Sequence, residues 1–499
     1  MAKDHVLAWD VGTSGVKVVV TDAAGAILGG DYEAYAPTYR PEGGVEQDLE
    51  EILSALRRAT RAVLERTSIA PASVAGVGAT GQMFNLVAMD RAARPLFPMI
   101  SWLDLRAVPE ARALAERMDY DEQFRRLGSV VTAKDVIPKI LWLRDRRPDV
   151  WKKTAKLLDC KDAVLMSLTG QAVTDRSTAS SYRLLDTAGT AWDRDACLEL
   201  GIPIERLPET GEAARVTGRL SAAAARELGL VAGTPVIAGT GDVASTQVGA
   251  GAIRPGDTQL SLGTALYLGI SLAGRASDPA RRLGLLGHMQ AGEWILWLEI
   301  ATGGASLNWF LEATRGPAAA SGPAEHAEVD RLVAAAESDM GELLFAPWLS
   351  GERFLFDDDA RAAFVGLDLH HRRGHLLRAV MEGVACETRW AFDYASAFGE
   401  PIGEIRAVGG GSLGEAWVKI LADMLDRELV TVEAPQDAGA RGAASCVLVA
   451  LGMRPDLDFV REQVTLGRRF RPDPARRSRA DALYARFKEV YAALRPAPD

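Results

Sequence analysis

The chain has 499 residues, 48% of them hydrophobic and 25% charged, with a net charge of −10 at pH 7. That is enough apolar material for two cores, and an acidic balance without a dominant basic stripe suits neither nucleic acid nor an anionic membrane, whose phosphates need Lys and Arg. No apolar run approaches the roughly 18 residues of a membrane span, and Asp4 stands where a signal peptide needs apolar residues, so a cytoplasmic location is expected.

In chain order, the first informative segment is His5 to Lys17, where an apolar run ends in Asp10-Val11-Gly12-Thr13-Ser14-Gly15-Val16-Lys17 and a second run, Val18 to Thr21, follows at once. It predicts a β-hairpin whose Gly12 and Gly15 let the N–H groups around Thr13 and Ser14 point at one anion. Asp10 would face that anion, and a carboxylate beside a phosphate calls for a cation between them, for which Mg2+ with its preference for hard oxygen ligands is suited. An ordinary hairpin with common turn residues remains the alternative at this point.

An amphipathic stretch from Leu49 to Arg66 and a strand from Ser73 to Ala79 then indicate an α/β alternation. Gly76-Val77-Gly78-Ala79-Thr80-Gly81 satisfies the GxGxxG spacing of a dinucleotide site, but a strand and turn, Gln82 to Pro95, follow it in place of a helix. Helices are expected over Val108 to Leu127 and Pro138 to Arg147. The four cysteines, Cys160, Cys197, Cys386 and Cys446, form no CxxC pair and read as small buried apolar residues.

The strand Val236-Ile237-Ala238 enters a second glycine turn, Gly239-Thr240-Gly241-Asp242-Val243-Ala244, before a helix from Val243 to Ala250. Its GxGxxA spacing leaves an NAD-dependent oxidoreductase as an alternative, although Asp242 would place negative charge beside the diphosphate. Gly249 to Asp257 is rich in turn residues and marks the boundary between two expected domains, 1–254 and 255–499. A second strand–turn–strand, Gln259 to Gly269 with Gly263-Thr264 at its turn, repeats the opening hairpin half a chain later.

Arg315 to Glu325 is expected to be a surface loop. His371 and His375 are four apart and could share a helix face as metal ligands, but Arg372 and Arg373 between them disfavour a cation site. Val408-Gly409-Gly410-Gly411-Ser412 follows a strand and permits close backbone approach to a flat ligand such as adenine. Gly439-Ala440-Arg441-Gly442 opens a small-residue helix, read as close packing of helix on sheet. Leu483, Phe487, Val490 and Tyr491 give the terminal arginine-rich stretch one packed helical face.

Taken in order, these strings resemble the FGGY carbohydrate kinases, nearest to the xylulokinase-like branch. The resemblance rests on Asp10 to Lys17, Gly81-Gln82-Met83, Trp102 with Asp104 and Arg106, Gly239 to Asp242, Ser261 to Thr264, and Leu349-Ser350-Gly351-Glu352-Arg353. It continues through Ala360-Arg361, Phe364 to Leu367, Glu382-Gly383 and Gly409 to Ser412. It implies an α/β fold of two actin-like, ribonuclease-H-like domains with a nucleotide and sugar cleft between them. It also implies ATP and Mg2+ as cofactors, a small sugar or polyol as partner, and leaves a homodimer open.

Carried over by motif, Asp242 resembles the catalytic base and Asp10 the partner that positions Mg2+. Gly12, Thr13, Ser14, Lys17, Gly263, Thr264, Gly304, Gly410, Gly411 and Ser412 fall at nucleotide positions. Gln82, Met83, Phe84, Trp102, Asp104 and Arg106 fall at sugar positions. The branch usually has His-Gly where this chain has Phe84-Asn85, and Asn where it has Val243. Two polar contacts thus become apolar, which implies a ketopentose or short polyol other than, or besides, D-xylulose, with a less polar end against Phe84. A non-catalytic ATP and sugar sensor is the other alternative, disfavoured by the presence of both Asp10 and Asp242.

Overall fold

Residues 3–118, 122–123, 131–186, 188–263, 265–275, 284–300, 302–315, 323–352, 360–397 and 402–494 are described by the structure, a computed structural model. The opening apolar run is strand β1 (His5–Val11), which the glycine turn returns antiparallel as β2 (Gly15–Asp22), setting Asp10 opposite Lys17. Strand β3 (Ile27–Ala34) completes a meander, its alternate residues exposed as an outer strand requires. Helix α1 (Leu49–Thr67) begins where the Asp48 carboxylate accepts from the Glu50 N–H at 2.9 Å, and buries Leu49, Ile52, Leu53, Leu56 and Val63 at helical spacing. It lies on the sheet and leads to β4 (Val74–Gly81), parallel to β1.

Helices α2 (Val108–Arg117), α3 (Val136–Arg146), α4 (Cys160–Thr169) and α5 (Arg176–Ser180) follow. The expected helix over Val108 to Leu127 stops at Arg117, and most of its second half lies outside the described residues. Strands β5 (Val216–Arg219) and β6 (Pro235–Ile237) close a sheet of order β5-β6-β4-β1-β2-β3, with the short strand Thr240–Gly241 also on β4. Helix α6 (Asp242–Gly249) leaves from that short strand.

The second half repeats the plan. Strands β7 (Thr258–Leu262), β8 (Leu266–Leu272), β9 (Gly284–Gly287) and β10 (Trp294–Ile300) are antiparallel neighbours, followed by helices α7 (Gly303–Arg315) and α8 (Arg373–Ser396). Strand β11 (Ile405–Val408), helix α9 (Glu415–Leu425), strand β12 (Leu429–Val432), helix α10 (Ala438–Ala450), strand β13 (Leu466–Phe470) and helix α11 (Arg477–Leu494) finish the chain. The sheet runs β9-β10-β8-β7-β11-β12-β13, with β11 parallel to β7 as β4 is to β1. The expected repeat of hairpins is therefore a repeat of whole sheets. Phe487 and Tyr491 of α11 seat on Trp348, with ring centroids 5.4 and 5.0 Å away. No helix of the described residues is long and apolar enough to cross a membrane.

The small-residue helix does more than cover its own sheet. α10 lies against β1 and β4 of the first sheet, where Ala440, Ala443 and Val447 join Val6, Ala8 and Ile237 in one core. It also crosses α6 backbone to backbone: a Cβ on Gly442 would fall inside the Ser245 carbonyl, one on Gly249 inside that of Ala438. Ser245 Oγ donates to the Gly439 carbonyl at 2.7 Å across this crossing. Packing thus runs across the expected 254/255 division, and only glycine fits at the contact.

Candidate functional site

The first glycine turn is held from behind through its carbonyls. Tyr35 Oη donates to Gly12 O at 2.7 Å, Gln47 Nε2 to Thr13 O at 2.9 Å, and Tyr32 Oη to Ser14 O at 3.0 Å. With three successive carbonyls taken on one side, the amide edge of the turn is what remains for an anion. Trp102 Nε1 donates to Thr13 Oγ1 at 2.9 Å, and Gln82 Nε2 donates to Gln47 Oε1 at 2.9 Å. Gln82, expected at the sugar, is instead a buried brace of the hairpin, because its amide is used by Gln47, Gly12 and Thr13.

Two carboxylates stand beside this turn. Burial pushes the Asp10 carboxyl up to about 6, with Lys17 acting against the rise and Asp437 adding to it. Burial likewise pushes Asp242 up to about 8, and the neighbouring Asp10 adds to it. Asp242 is the first residue of α6, and its own carboxylate accepts from the Val243 N–H at 2.8 Å. Space for Asp10 comes from the other half of the chain: a Cβ on Gly439, in the first turn of α10, would collide with Asp10 Oδ2. Lys17 Nζ reaches the same region, 2.7 Å from Gln436 O and 2.8 Å from Asp437 Oδ1. Lys17, expected at the nucleotide, is therefore a link between the first hairpin and the loop before α10. Two mutually repelling carboxyls of hard oxygen character are a donor set that fits Mg2+.

The expected sugar residues divide. Met83 lies under the Gly239–Asp242 turn, where a Cβ on Gly241 would overlap its sulfur. Phe84 adopts φ 65°, a left-handed conformation uncommon for a bulky residue. Its carbonyl accepts from the buried Lys139 ammonium at 2.6 Å, and its ring stacks on Trp297 of β10 at 5.8 Å. With 6% exposure, Phe84 is a bridge between the two halves together with Met83, Val243 and Ile295, so little of its ring is left to face a substrate. Asn85 is no lost contact either: it donates to Asp159 Oδ1 at 2.9 Å and accepts from the Trp102 N–H at 3.0 Å.

Asp104 and Arg106 are likewise corrected. Asp104 is fully buried, accepts from the Val45 N–H, and pairs with Arg106, whose Nη2 continues to Glu46 at 2.9 Å. The guanidinium stacks 4.9 Å from the Trp142 ring centroid. Their hydrogen-bonding capacity is spent on positioning the segment that carries Trp102, so in this structure they form a structural ion pair behind it. Beneath the site lies a buried charge network absent from the sequence expectations: Lys161 Nζ is 3.2 Å from Asp175 and bonds Ala238 O at 3.1 Å, while Asp175 accepts from Thr240 Oγ1 at 2.8 Å. It fixes the strand that ends at Asp242.

In the second half, three glycine segments converge on the end of β7. The Gly304 N–H donates to Gly263 O at 2.9 Å, a Cβ on Gly303 would overlap Leu266, and Gly409, at φ 83°, lies against the Leu262 backbone. Gly411 touches Leu262 and Trp417, whereas Gly410 faces open space. Ser412 Oγ closes the turn onto Gly409 O at 2.7 Å. A groove of about 440 Å³ adjoins this loop, lined by Ser412, Leu413, Glu415, Thr431 and Arg468 among others. Thr264, Arg353 and most of the loop expected over Arg315 to Glu325 lie outside the described residues. Gly439, read from the sequence only as helix packing, makes room for Asp10, whereas Asp437 and Trp297 carried no signal in the sequence.

Duplicated sheets, a glycine hairpin on each, and paired carboxylates at their junction define a class of two-domain phosphotransferases. The family model described as "FGGY family of carbohydrate kinases, N-terminal domain" matches residues 5–249, and the corresponding C-terminal model matches residues 259–451. The chain belongs to the FGGY family of carbohydrate kinases, and is a sugar kinase that uses ATP. It is 28% identical to xylulose kinase of Escherichia coli, over 98% of each chain. It is 25% identical to gluconokinase of Bacillus subtilis, over 92% of this chain and 90% of that protein. The crystal structure of xylulose kinase from Rhodospirillum rubrum superposes with a TM-score of 0.87 at 29% identity, covering 98% of this chain and 99% of that one.

These findings remove the oxidoreductase alternative, and the geometry agrees. A Cβ on Gly239 would overlap the Ala79 backbone and one on Gly241 the Met83 sulfur, so the glycines of the GxGxxA string serve internal packing. The sensor alternative also falls, since the chain is a kinase.

Proposed function

We propose that this kinase transfers the γ-phosphate of ATP to a hydroxyl of a ketopentose, D-xylulose-like, or of a short polyol, with Asp242 as general base. The observation that carries this reading is the pair Asp10 and Asp242, both raised above the ordinary carboxylate range beside an amide-lined hairpin. A carboxyl that titrates near the working pH is matched to taking a proton from a hydroxyl as it attacks phosphorus. Asp10 would hold Mg2+, which supplies charge neutralisation to the phosphates. The hairpin amides of Thr13 and Ser14 orient the transferred group, and Gly263, Gly304, Gly410, Gly411 and Ser412 hold the nucleotide. Trp102, half-buried and fixed to Thr13, borders the acceptor. Phosphoryl transfer asks mainly for this in-line positioning and charge stabilisation. A cytoplasmic location belongs to the same reading.

The test is Mg2+-dependent ADP release with ATP against a panel of ketopentoses, polyols, gluconate and deoxy-sugars. Stimulation by a ketopentose or short polyol is expected. Stimulation by gluconate alone would replace the substrate assignment, and efficient use of D-xylulose with none of the shorter or deoxy compounds would remove the relaxed specificity.

The nucleotide assignment has its own check. Because a Cβ on Gly410 meets no protein atom within 4 Å, Gly410→Ala should leave the melting temperature unchanged. If adenosine lies on this loop, the added methyl should raise KM for ATP by about tenfold while kcat changes little, the signature of lost uniform binding.

A further inference from the structure

The histidines before α8 satisfy one another: His371 Nδ1 accepts the Asp368 N–H at 2.9 Å and His370 Nδ1 is in direct contact with Asp368 Oδ1, so they offer neither lone pair nor space to a metal ion. Polar groups without an assigned role lie instead inside the cleft, on α6 and β8. Asp242 and Thr246 are four residues apart on α6 and therefore share one face, a turn apart. Ser245 and Gly249 are taken up by the crossing with α10. Thr246, half-buried, looks toward the first turn of α10. A Cβ on Gly439 there would meet Asp10 Oδ2 on one side and Thr246 Oγ1, at 3.6 Å, on the other. Carboxylate and hydroxyl thus border one small volume that a glycine keeps clear.

The second sheet sets the direction of that hydroxyl. Tyr267 of β8 lies in register between Ser261 of β7 and Glu299 of β10, and its ring packs against Met83, Phe84 and Val243 where the two halves meet. Burial and the nearby Asp242 raise the Tyr267 phenol, while hydrogen bonding from Gln259, Thr246 and Ser261 acts against the rise. A partner that lowers the pKa of a phenol gives its hydrogen to the phenol oxygen. Thr246, donating in that direction, keeps its lone pairs for a donor on the Asp10 side.

Mg2+ held by one or two carboxylates keeps several waters, and the hydrogens of those waters need acceptors. We propose that Thr246 is a positioning residue of the Mg2+ site, its hydroxyl accepting a hydrogen bond from a water carried by the ion beside Asp10. The inference rests on the reading of Asp10 as the residue that holds Mg2+. Contacts of this kind orient the bound ion and tighten its binding. Because Thr246 stands on the helix that Asp242 opens, the same contact fixes the ion relative to the proposed base.

The test uses full-length protein with ADP present, titrated with MnCl2, and reads ion held by the protein from the enhancement of water-proton relaxation. Thr246→Val, which keeps the shape and removes the hydroxyl, and Thr246→Ala are each expected to weaken binding of the ion about tenfold, and Thr246→Ser to restore it. Turnover of the first two should fall at limiting MgCl2 and recover at saturating MgCl2. A merely structural threonine would lower the ligand-free melting temperature and leave the affinity for the ion at the wild-type value, and that result would overturn the proposal. Asp10→Asn separates the two levels of the argument. Loss of the ion in Asp10→Asn with wild-type affinity in Thr246→Val and Thr246→Ala removes the role of Thr246 alone, whereas undiminished binding in Asp10→Asn removes the reading of Asp10 and the inference with it.

Discussion

Asp242→Asn is expected to lower sugar-dependent ADP release by about 10²–10⁴-fold, the usual range for losing a general base, while ATP binding changes little. The same substitution should stabilise the fold at alkaline pH. In the folded chain Asp242 is pushed up to about 8, chiefly by burial and then by Asp10. A carboxyl raised in this way holds its proton more tightly folded than unfolded. Its stabilising contribution is present below the unfolded value of about 3.9 and is lost as pH rises to the folded one. Asparagine does not ionise and escapes that loss. Without nucleotide or metal, the melting temperature of Asp242→Asn should exceed that of wild type by about 2–4 °C at pH 8, and the difference should vanish near pH 4. Thermal scans at the two pH values, with ADP-release kinetics, check both halves. Near-normal turnover would remove Asp242 from the base role, and equal melting at pH 8 would place its charge in a less hostile environment.

Gly442→Ala should be among the most damaging conservative changes outside the site. The added methyl would lie inside the Ser245 carbonyl, where α10 crosses α6, and the obstacle is backbone on both sides. The helices must separate, at a cost of about 1–3 kcal/mol as for other overpacked contacts. The consequence reaches the chemistry, because α6 carries Asp242 at its start and α10 carries Gly439 against Asp10. Moving one helix on the other shifts the two carboxylates relative to each other, and a misplacement of an ångström lowers kcat by about 100-fold. Denaturant unfolding should show a lower midpoint, and kinetics a fall in kcat exceeding any rise in KM. Ala443, on the neighbouring buried turn, offers the comparison: Ala443→Gly removes a methyl without a clash and should lose stability but keep turnover.

Both effects depend on residues far apart in the chain, Asp10 beside Asp242 and Ser245 against Gly442, which explains what could and could not be read in advance. The two glycine hairpins were legible because strand alternation, a glycine-rich break between two apolar runs and, in the first, an acid near the strand end are local properties of consecutive residues, although none of Gly12, Gly15 and Gly263 adopts positive φ. The same holds for Asp242 at the head of its helix and for the small-residue run of α10. Fold and family followed from the order of such segments along the chain. Gln82, Asp104 and Arg106 are expected at the sugar from type and spacing that are equally compatible with bracing. Only their partners, Gln47 and Thr13 for the first, Val45 and Glu46 for the others, decide the matter.

By itself, the sequence determined the duplicated α/β plan, the two glycine hairpins, and Asp10 and Asp242 next to strand ends, since turn geometry and strand pattern are set by neighbours in the chain. Tertiary structure alone decided that α10 serves the first sheet, that Phe84 bridges to Trp297, and that His370 and His371 meet over one carboxylate. Burial, repulsion and hydrogen-bond satisfaction are properties of what surrounds a side chain, and those surroundings come from distant parts of the chain.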